Sequence, residues 1–377
     1  MIEYDAIIAG YTCVDLIPDF KKQTTVNCIS DFFKPGKLIE IGGMDFVLGG
    51  VVPNTGLAMD KFGKKVYLNG LIGNDSIGKI AELQLKEHGV FEGIVKIAEA
   101  DTAFSIVIAP MGIDRIFLES PGCNQIFSME HINFDTIKKS KLFHFGYPPL
   151  LRQFFFNDGQ QLVQMYSKVQ NAGTVTSLDF SLPDQESESG KINWPLILKN
   201  TLPFVDIFTP SIEELLLTMM PSKYAEIESQ KGEGEIIDKI PISLVREIGN
   251  IIIAAGVNIL LIKMGHRGAY LLTKDVSSIN KKLGLVLKNK KWSNCEIFCK
   301  AYKVDMSRVK HASGAGDIAV AAFLSSILNG ENPDMAIKYS AMAGKESLYC
   351  ENNFNNMLNW EQLSEKVNKE ANELILY

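Results

Sequence analysis

Short apolar runs alternate with helical stretches over most of the chain, and this alternation constrains the fold more than any other feature. From Lys141 onward, Leu142-Phe-His-Phe145 predicts a strand, Gln160 to Asn171 a helix ending near Gly173, and Val175-Thr-Ser-Leu-Asp179 a strand. Val205 to Thr209 reads as the next strand and Ser211 to Met219 as a helix. Pro241 to Ala255 is then a helix closed by Gly256, and Asn258 to Lys263 a strongly apolar strand. The opening follows the same rule: Ala6 to Gly10 is a buried strand, a helix runs to Lys61 before Gly63, and Val66 to Gly70 is a strand. Uniformly apolar strands are buried on both faces, so the pattern specifies a largely parallel sheet covered by helices on each side. Ligands of such sheets sit beyond the carboxyl ends of the strands. Asp15, Gly49-Gly50, Asp179, Glu214, Gly265 and Asp317 all follow predicted strands.

Three stretches break the alternation. Residues 20–45 and 94–122 read as extended pieces outside the main core; in the second, Phe104 to Ala109 and Arg115 to Leu118 form a hairpin around Pro110 to Asp114. Residues 275–303 carry many lysines and little periodicity, which predicts an exposed loop or edge hairpin. After the helix that begins near Asp317, one more helix is expected, from Asp334 to about Tyr349.

A net charge of −6 over 377 residues argues against a nucleic-acid surface. The six cysteines include only one close pair, Cys295 and Cys299, with no second pair to complete a zinc site. No apolar run reaches membrane-spanning length, the first residues lack the basic start of a signal peptide, and reduced thiols fit a cytoplasmic protein.

The stretch most suggestive of chemistry is His311-Ala-Ser-Gly-Ala-Gly-Asp317 with the apolar run that follows. Gly314 and Gly316 allow close backbone approach, and a helix starting there aims N–H groups at an anion. An acid beside an anion cradle makes sense if it takes a proton from a hydroxyl that attacks phosphate. Alone, the stretch fits equally a Gly-rich helix start with Asp317 as an ordinary first-turn residue. Near the other end, Gly49-Gly50 suggests close backbone approach, while Asn54 fits a helix cap or a ligand to a substrate hydroxyl. Gly73 to Ile80 nearly matches a P-loop but fails: Ile80 stands where a hydroxyl must meet magnesium, and Asp75 would put a negative charge in the phosphate cradle.

Taken together, Gly49-Gly50-x-x-x-Asn54, Gly73-x-Asp75-x-x-Gly78, Lys263-x-Gly265-x-x-Gly268 and Gly314-Ala-Gly-Asp317 occur in an order and spacing similar to the ribokinase-like (PfkB) carbohydrate kinases, over nearly the whole chain. The resemblance implies a three-layer α/β core with a largely parallel sheet, from 1–12, 46–93 and 123–377. A small β lid would come from 13–45 and 94–122. It implies ATP-dependent phosphorylation of a hydroxyl on a sugar or nucleoside, with Mg2+. Asp317 would be the base, and the backbone of Gly314, Ala315 and Gly316 the anion hole. Asp15, Gly49, Gly50 and Asn54 would hold the substrate. Ser211, Lys263, Gly265 and Gly268 would line the nucleotide, and Glu214 would position magnesium through water. A homodimer through the lid is the assembly known among such kinases, although no exposed apolar stripe marks one. A carboxylate at a helix N-terminus is expected to be a weak base, because the dipole favours its charged form.

Three departures from the family pattern matter. His311 and Ala312 replace the Asp-Thr that commonly opens the last motif, which puts the activating monovalent cation in doubt. Ser211 replaces the usual Asn of N-x-x-E but leaves Glu214. Val51-Val-Pro53 after the paired glycines carries no basic residue, which favours an unphosphorylated substrate. Two other readings stay open: a nucleoside kinase on the same fold, and a catalytically silent sugar-binding regulator. The absence of a G-x-G-x-x-G after the first strand argues against a dinucleotide oxidoreductase.

Overall fold

A computed structural model describes residues 2–20, 28–110, 116–232, 234–284, 289–350, 354 and 356–377. In chain order its strands are β1 (Tyr4–Gly10), β2 (Cys13–Pro18), β3 (Met44–Gly49), β4 (Val66–Gly73), β5 (Ile94–Ile97), β6 (Phe104–Ile108) and β7 (Ile116–Ser120). There follow β8 (Ser140–Gly146), β9 (Val175–Asp179), β10 (Ile207–Phe208), β11 (Ile259–Lys263), β12 (Gly268–Thr273), β13 (Glu296–Lys300) and β14 (Leu374–Leu376). Ten of them form one sheet in the order β14-β13-β12-β11-β10-β9-β8-β1-β4-β5, and four form a second in the order β3-β2-β6-β7. From β11 to β5 the large sheet is parallel; β12, β13 and β14 extend it antiparallel. This is the ribokinase-like α/β fold.

Both faces of the central strands are sealed. Ala6, Ile7, Ile8 and Ala9 of β1 have no exposed surface, and neither do Phe143 and Phe145 of β8. The helices Val51–Lys61, Ala315–Leu328, Pro333–Ser347 and Trp360–Lys369 pack in one group. Arg152–Asn171, Trp194–Thr201 and Ile212–Met219 form another. A sheet buried on both sides requires one such layer on each face. The helix Ala315–Leu328 is apolar nearly all round, and Val320 to Phe323 are fully buried, so it lies inside its layer rather than on its surface.

Register aligns the carboxyl ends. Gly10 of β1 lies opposite Gly146 of β8, and Gly146 opposite Asp179 of β9. Beyond β10, Ser211 bridges to Lys263 at the end of β11. Tyr11, Tyr147, Asp179, Ser211 and Lys263 therefore leave the sheet along one edge.

Several expectations change. Ile94–Ile97, assigned to the extended region outside the core, pairs with β4 at the edge of the large sheet, where Ile94 is buried. β3 belongs to the small sheet up to Gly49, past the boundary drawn at residue 45, because the Met44-Asp-Phe-Val-Leu48 run has no internal break. Asp15 sits within β2, not in a turn after β1. β6 and β7 form the expected hairpin, but residues 111–115 of its turn lie outside the described residues, as do 21–27.

Of the two readings of 275–303, the hairpin holds and the exposed loop does not: β13 pairs antiparallel with β12 one strand from the sheet edge. The segment holds the helix Ser277–Leu283 and strand β13, and Trp292 is fully buried against Phe323, its indole N–H donating to the Glu331 carbonyl at 2.8 Å. Lys282 reaches Asp206, the residue before β10, at 2.6 Å. The lysines masked a segment anchored by a few apolar side chains. The C-terminal part also contains more than the one further helix expected. Trp360–Lys369, capped by Asn359, packs on Pro333–Ser347, and β14 closes the large sheet's antiparallel edge.

Candidate active site

Asp317 lies in the first turn of Ala315–Leu328, behind Gly314, whose φ of 74° turns the chain into the helix. Only 2% of Asp317 is exposed. Two donors hold its carboxylate. The Tyr147 hydroxyl donates to Oδ1 at 2.7 Å, and Asn54 Nδ2 donates to Oδ2 at 2.9 Å. They arrive from different elements: Tyr147 follows β8, and Asn54 lies in the first turns of Val51–Lys61. Burial, reinforced by the charge of Asp179, pushes the Asp317 carboxyl up to about 6 despite these two hydrogen bonds and Lys263. The expected acid-shifted carboxylate is thus corrected: loss of water and a neighbouring charge outweigh the helix dipole.

Beside it is a second charged group. Lys263 Nζ sits 2.6 Å from Asp179 Oδ1, and Asp179 is fully buried. Burial opposes the ammonium, but Asp179 and Glu214 outweigh it and hold Lys263 protonated. Glu214 is pushed up to about 7, chiefly by burial. Three carboxylates, Asp179, Glu214 and Asp317, thus surround one ammonium, and Asp179 Oδ2 is buried with no hydrogen-bond partner. Among the described residues no group of three or more His, Cys, Asp or Glu is arranged to hold a metal directly.

The glycines have different local roles. A Cβ on Gly316 would lie 3.8 Å from Lys263 Nζ, with nothing nearer, so the space over this helix start is open. Gly50, at φ 86°, starts Val51–Lys61, and a Cβ there would come within 2.6 Å of the Tyr11 carbonyl oxygen. Gly49 faces Asp15, whose Oδ2 would be 2.9 Å from an added Cβ. Gly265 and Gly268 shape the turn from β11 to β12; a side chain at Gly268 would overlap the Cys299 carbonyl.

Of the residues read from sequence, the structure brings Asn54, Lys263, Gly314, Ala315, Gly316 and Asp317 together, with Glu214 close to Lys263. Gly49, Gly50 and Asp15 adjoin them through Tyr11. Ser211 and Glu214 cap their own helix reciprocally, Ser211 N–H to Oε2 at 2.7 Å and Glu214 N–H to Oγ at 3.2 Å. Asp75, rejected as a phosphate-loop residue, instead caps Ser76–Glu87 and receives the Thr102 N–H at 2.5 Å. Sequence reasoning missed Tyr11, Tyr147 and Glu119. The Tyr11 hydroxyl donates to Glu119 of β7, and the Tyr11 and Tyr147 rings lie 6.3 Å apart. The available signal was Gly146-Tyr-Pro-Pro149, a turn directly after an apolar strand.

Comparison with known proteins gives the family and the fold. The model of the pfkB family carbohydrate kinases matches residues 9–356, and the chain belongs to that family. It is 33% identical over 101 residues to a probable fructokinase-5 of Arabidopsis thaliana, 26% of this chain and 31% of that protein. To an uncharacterized sugar kinase of Archaeoglobus fulgidus it is 21% identical over 276 residues, 73% of this chain and 88% of that one. The match to the fructokinase spans about a third of that relative's length. Among solved structures, Arabidopsis thaliana ribokinase complexed with ribose and ATP superimposes with a TM-score of 0.69 at 17% identity, covering 98% of this chain and 100% of that one. A putative ribokinase II of E. coli in complex with ATP and Mg2+ gives 0.69 at 16% identity, with the same coverage. At these identities the likeness shows the fold.

Proposed function

We propose that this protein transfers the γ-phosphoryl group of ATP to a hydroxyl of an unphosphorylated sugar or sugar-like substrate. The observation that carries this reading is Asp317: a buried carboxylate at a glycine-lined helix start, held by two donors and pushed up to about 6. It is ionised at neutral pH yet basic enough to accept a hydroxyl proton late in the reaction. As the substrate oxygen bonds to the γ-phosphorus, its proton passes to Asp317, and the bond to the bridging oxygen breaks to leave ADP. The open space above Gly316 and the N–H groups of Gly314, Ala315 and Gly316 suit the anionic phosphoryl group. Lys263 adds a partly buried positive charge on the same side.

Three carboxylates around one lysine repel a nucleotide unless a cation comes with it. Glu214, and Asp179 with its unpartnered Oδ2, fit magnesium held through water. When bound, magnesium neutralises charge on the phosphates. Ser211, Gly265 and Gly268 line the adjoining edge where the nucleotide would lie.

Asp15, Gly49, Gly50 and Asn54 face the acceptor, with the β3-β2-β6-β7 sheet as a lid that excludes water. Asp15 is pushed up to about 6, by burial first and also by Glu119, with no cation among the groups that shift it. An acceptor bearing phosphate would meet two acids there, so a neutral, hydroxyl-rich one fits.

The test is incubation with ATP, Mg2+ and a panel of neutral sugars, sugar phosphates and nucleosides, following ADP. ADP formed with a neutral sugar supports the reading. Formation only with nucleosides would move it to a nucleoside kinase, and tight sugar binding without ADP would favour a silent binder.

A further inference from the structure

Tyr147 is an unusual residue in an unusual place. It follows β8 with φ 66° and ψ 44°, a left-handed conformation that glycine adopts freely and a tyrosine adopts only under strain. Pro148 and Pro149, both buried, fix the chain directly after it. The outcome of this strain is definite. The side chain is turned inward over the carboxyl ends of the strands, and its hydroxyl meets Asp317, 170 residues away in sequence, at 2.7 Å.

We infer that Tyr147 is a positioning residue of the phosphoryl-transfer site: its phenol fixes the Asp317 carboxylate in one orientation and holds it in the ionised form. The inference rests on Asp317 being the base. Each Asp317 oxygen has one fixed donor, Tyr147 on Oδ1 and Asn54 on Oδ2, so the carboxylate cannot rotate without breaking both. A carboxylate oxygen accepts more than one hydrogen bond, so each keeps capacity for a substrate hydroxyl.

The phenol is suited to permanent donation. Burial first, then Asp317, Asp179 and Glu214, raise its pKa well above the ordinary value, so it stays protonated wherever the protein is folded. The groups facing Asp317 are Tyr147 from the β8 turn, Asn54 from Val51–Lys61, Asp179 from β9 and Lys263 from β11. Asp179 favours the protonated acid, while Tyr147, Lys263 and Asn54 favour the carboxylate. Removing the phenol oxygen alone therefore tips Asp317 towards protonation while leaving the ring, the turn and every charge in place.

The test is a 13C NMR titration of the carboxyl carbons, with the Asp317 signal assigned by its loss in Asp317→Asn. In the wild-type protein, the Tyr147 Cζ signal is expected to titrate with the same midpoint as Asp317, near 6. In Tyr147→Phe, the Asp317 midpoint is expected to rise by about one pH unit, the scale of one hydrogen bond to a charged group. With ATP and D-fructose or D-ribose, the acid limb of kcat should move up by the same amount, with KM for ATP unchanged. A Tyr147 Cζ signal that is silent through the Asp317 midpoint, or an unmoved midpoint in Tyr147→Phe, overturns the inference. The titration needs no sugar, only the folded variants that assign its signals. A failed sugar panel would therefore count against the proposed reaction and leave this bond separately tested.

Discussion

Lys263 and Asp179 form an ion pair with Nζ 2.6 Å from Oδ1, at the carboxyl ends of β11 and β9, with Asp179 fully buried and Lys263 partly exposed. Such pairs are poor sources of net stability, because desolvation offsets attraction. Its position beside Gly316 gives the ammonium a use: it can stabilise phosphoryl charge in a site otherwise dominated by carboxylates.

Lys263→Met separates these roles. Leaving Asp179 unpaired should destabilise the protein by about 3–5 kcal/mol, measured by urea unfolding. The double variant Lys263→Met with Asp179→Asn should recover most of that stability. Turnover should stay reduced by about two orders of magnitude in both, the scale for losing one transition-state charge partner. Recovery of turnover along with stability would make Lys263 merely structural.

Gly316→Ala tests the anion hole with little risk to the fold. Its Cβ would meet nothing closer than Lys263 at 3.8 Å, so thermal unfolding should be almost unchanged. Turnover should fall, because the methyl group occupies space meant for phosphate. Gly50→Ala should instead lower stability, since φ 86° and the Tyr11 carbonyl leave no room for a methyl group. Full activity in Gly316→Ala would show that phosphate is not bound there.

The pH dependence of stability has a defined sign. Asp317 is raised from 3.8 to about 6 on folding. A raised carboxyl contributes stability that is present below its unfolded pKa and lost as pH rises through the folded one. Asp317→Asn removes that loss. Relative to wild type, the variant should gain roughly 3 kcal/mol between pH 3 and pH 8, most of it by pH 6, read from unfolding midpoints. A constant difference across that range would mean that Asp317 titrates normally.

How much of this was legible in the sequence depended on the range of the interaction. Apolar runs such as Ala6 to Ala9 and Ile259 to Ile262 marked the parallel strands, since burial on both faces leaves a local trace. Gly314 to Asp317 marked the helix start for the same reason. The partners of Asp317 left no local trace: Tyr147 and Asn54 are 170 and 263 residues away and meet it only because β8 and Val51–Lys61 end at one edge. In 275–303 the hairpin strand was legible but the buried anchor was not, because solvent-facing lysines outnumber the residues that hold it.

Trp292→Ala checks that correction. Removing a fully buried indole packed on Phe323 should cost about 3–5 kcal/mol of stability, with kcat/KM per folded molecule unchanged. A loss below about 1 kcal/mol would return the segment to the surface.

The most direct test of the central claim is turnover of Asp317→Asn with ATP, Mg2+ and the sugar that the wild-type enzyme phosphorylates best. ADP release should fall by about two orders of magnitude or more, the scale for losing a general base, while ATP binding measured by calorimetry stays within a few-fold. Near-normal turnover in that variant would contradict the assignment of Asp317 as the base.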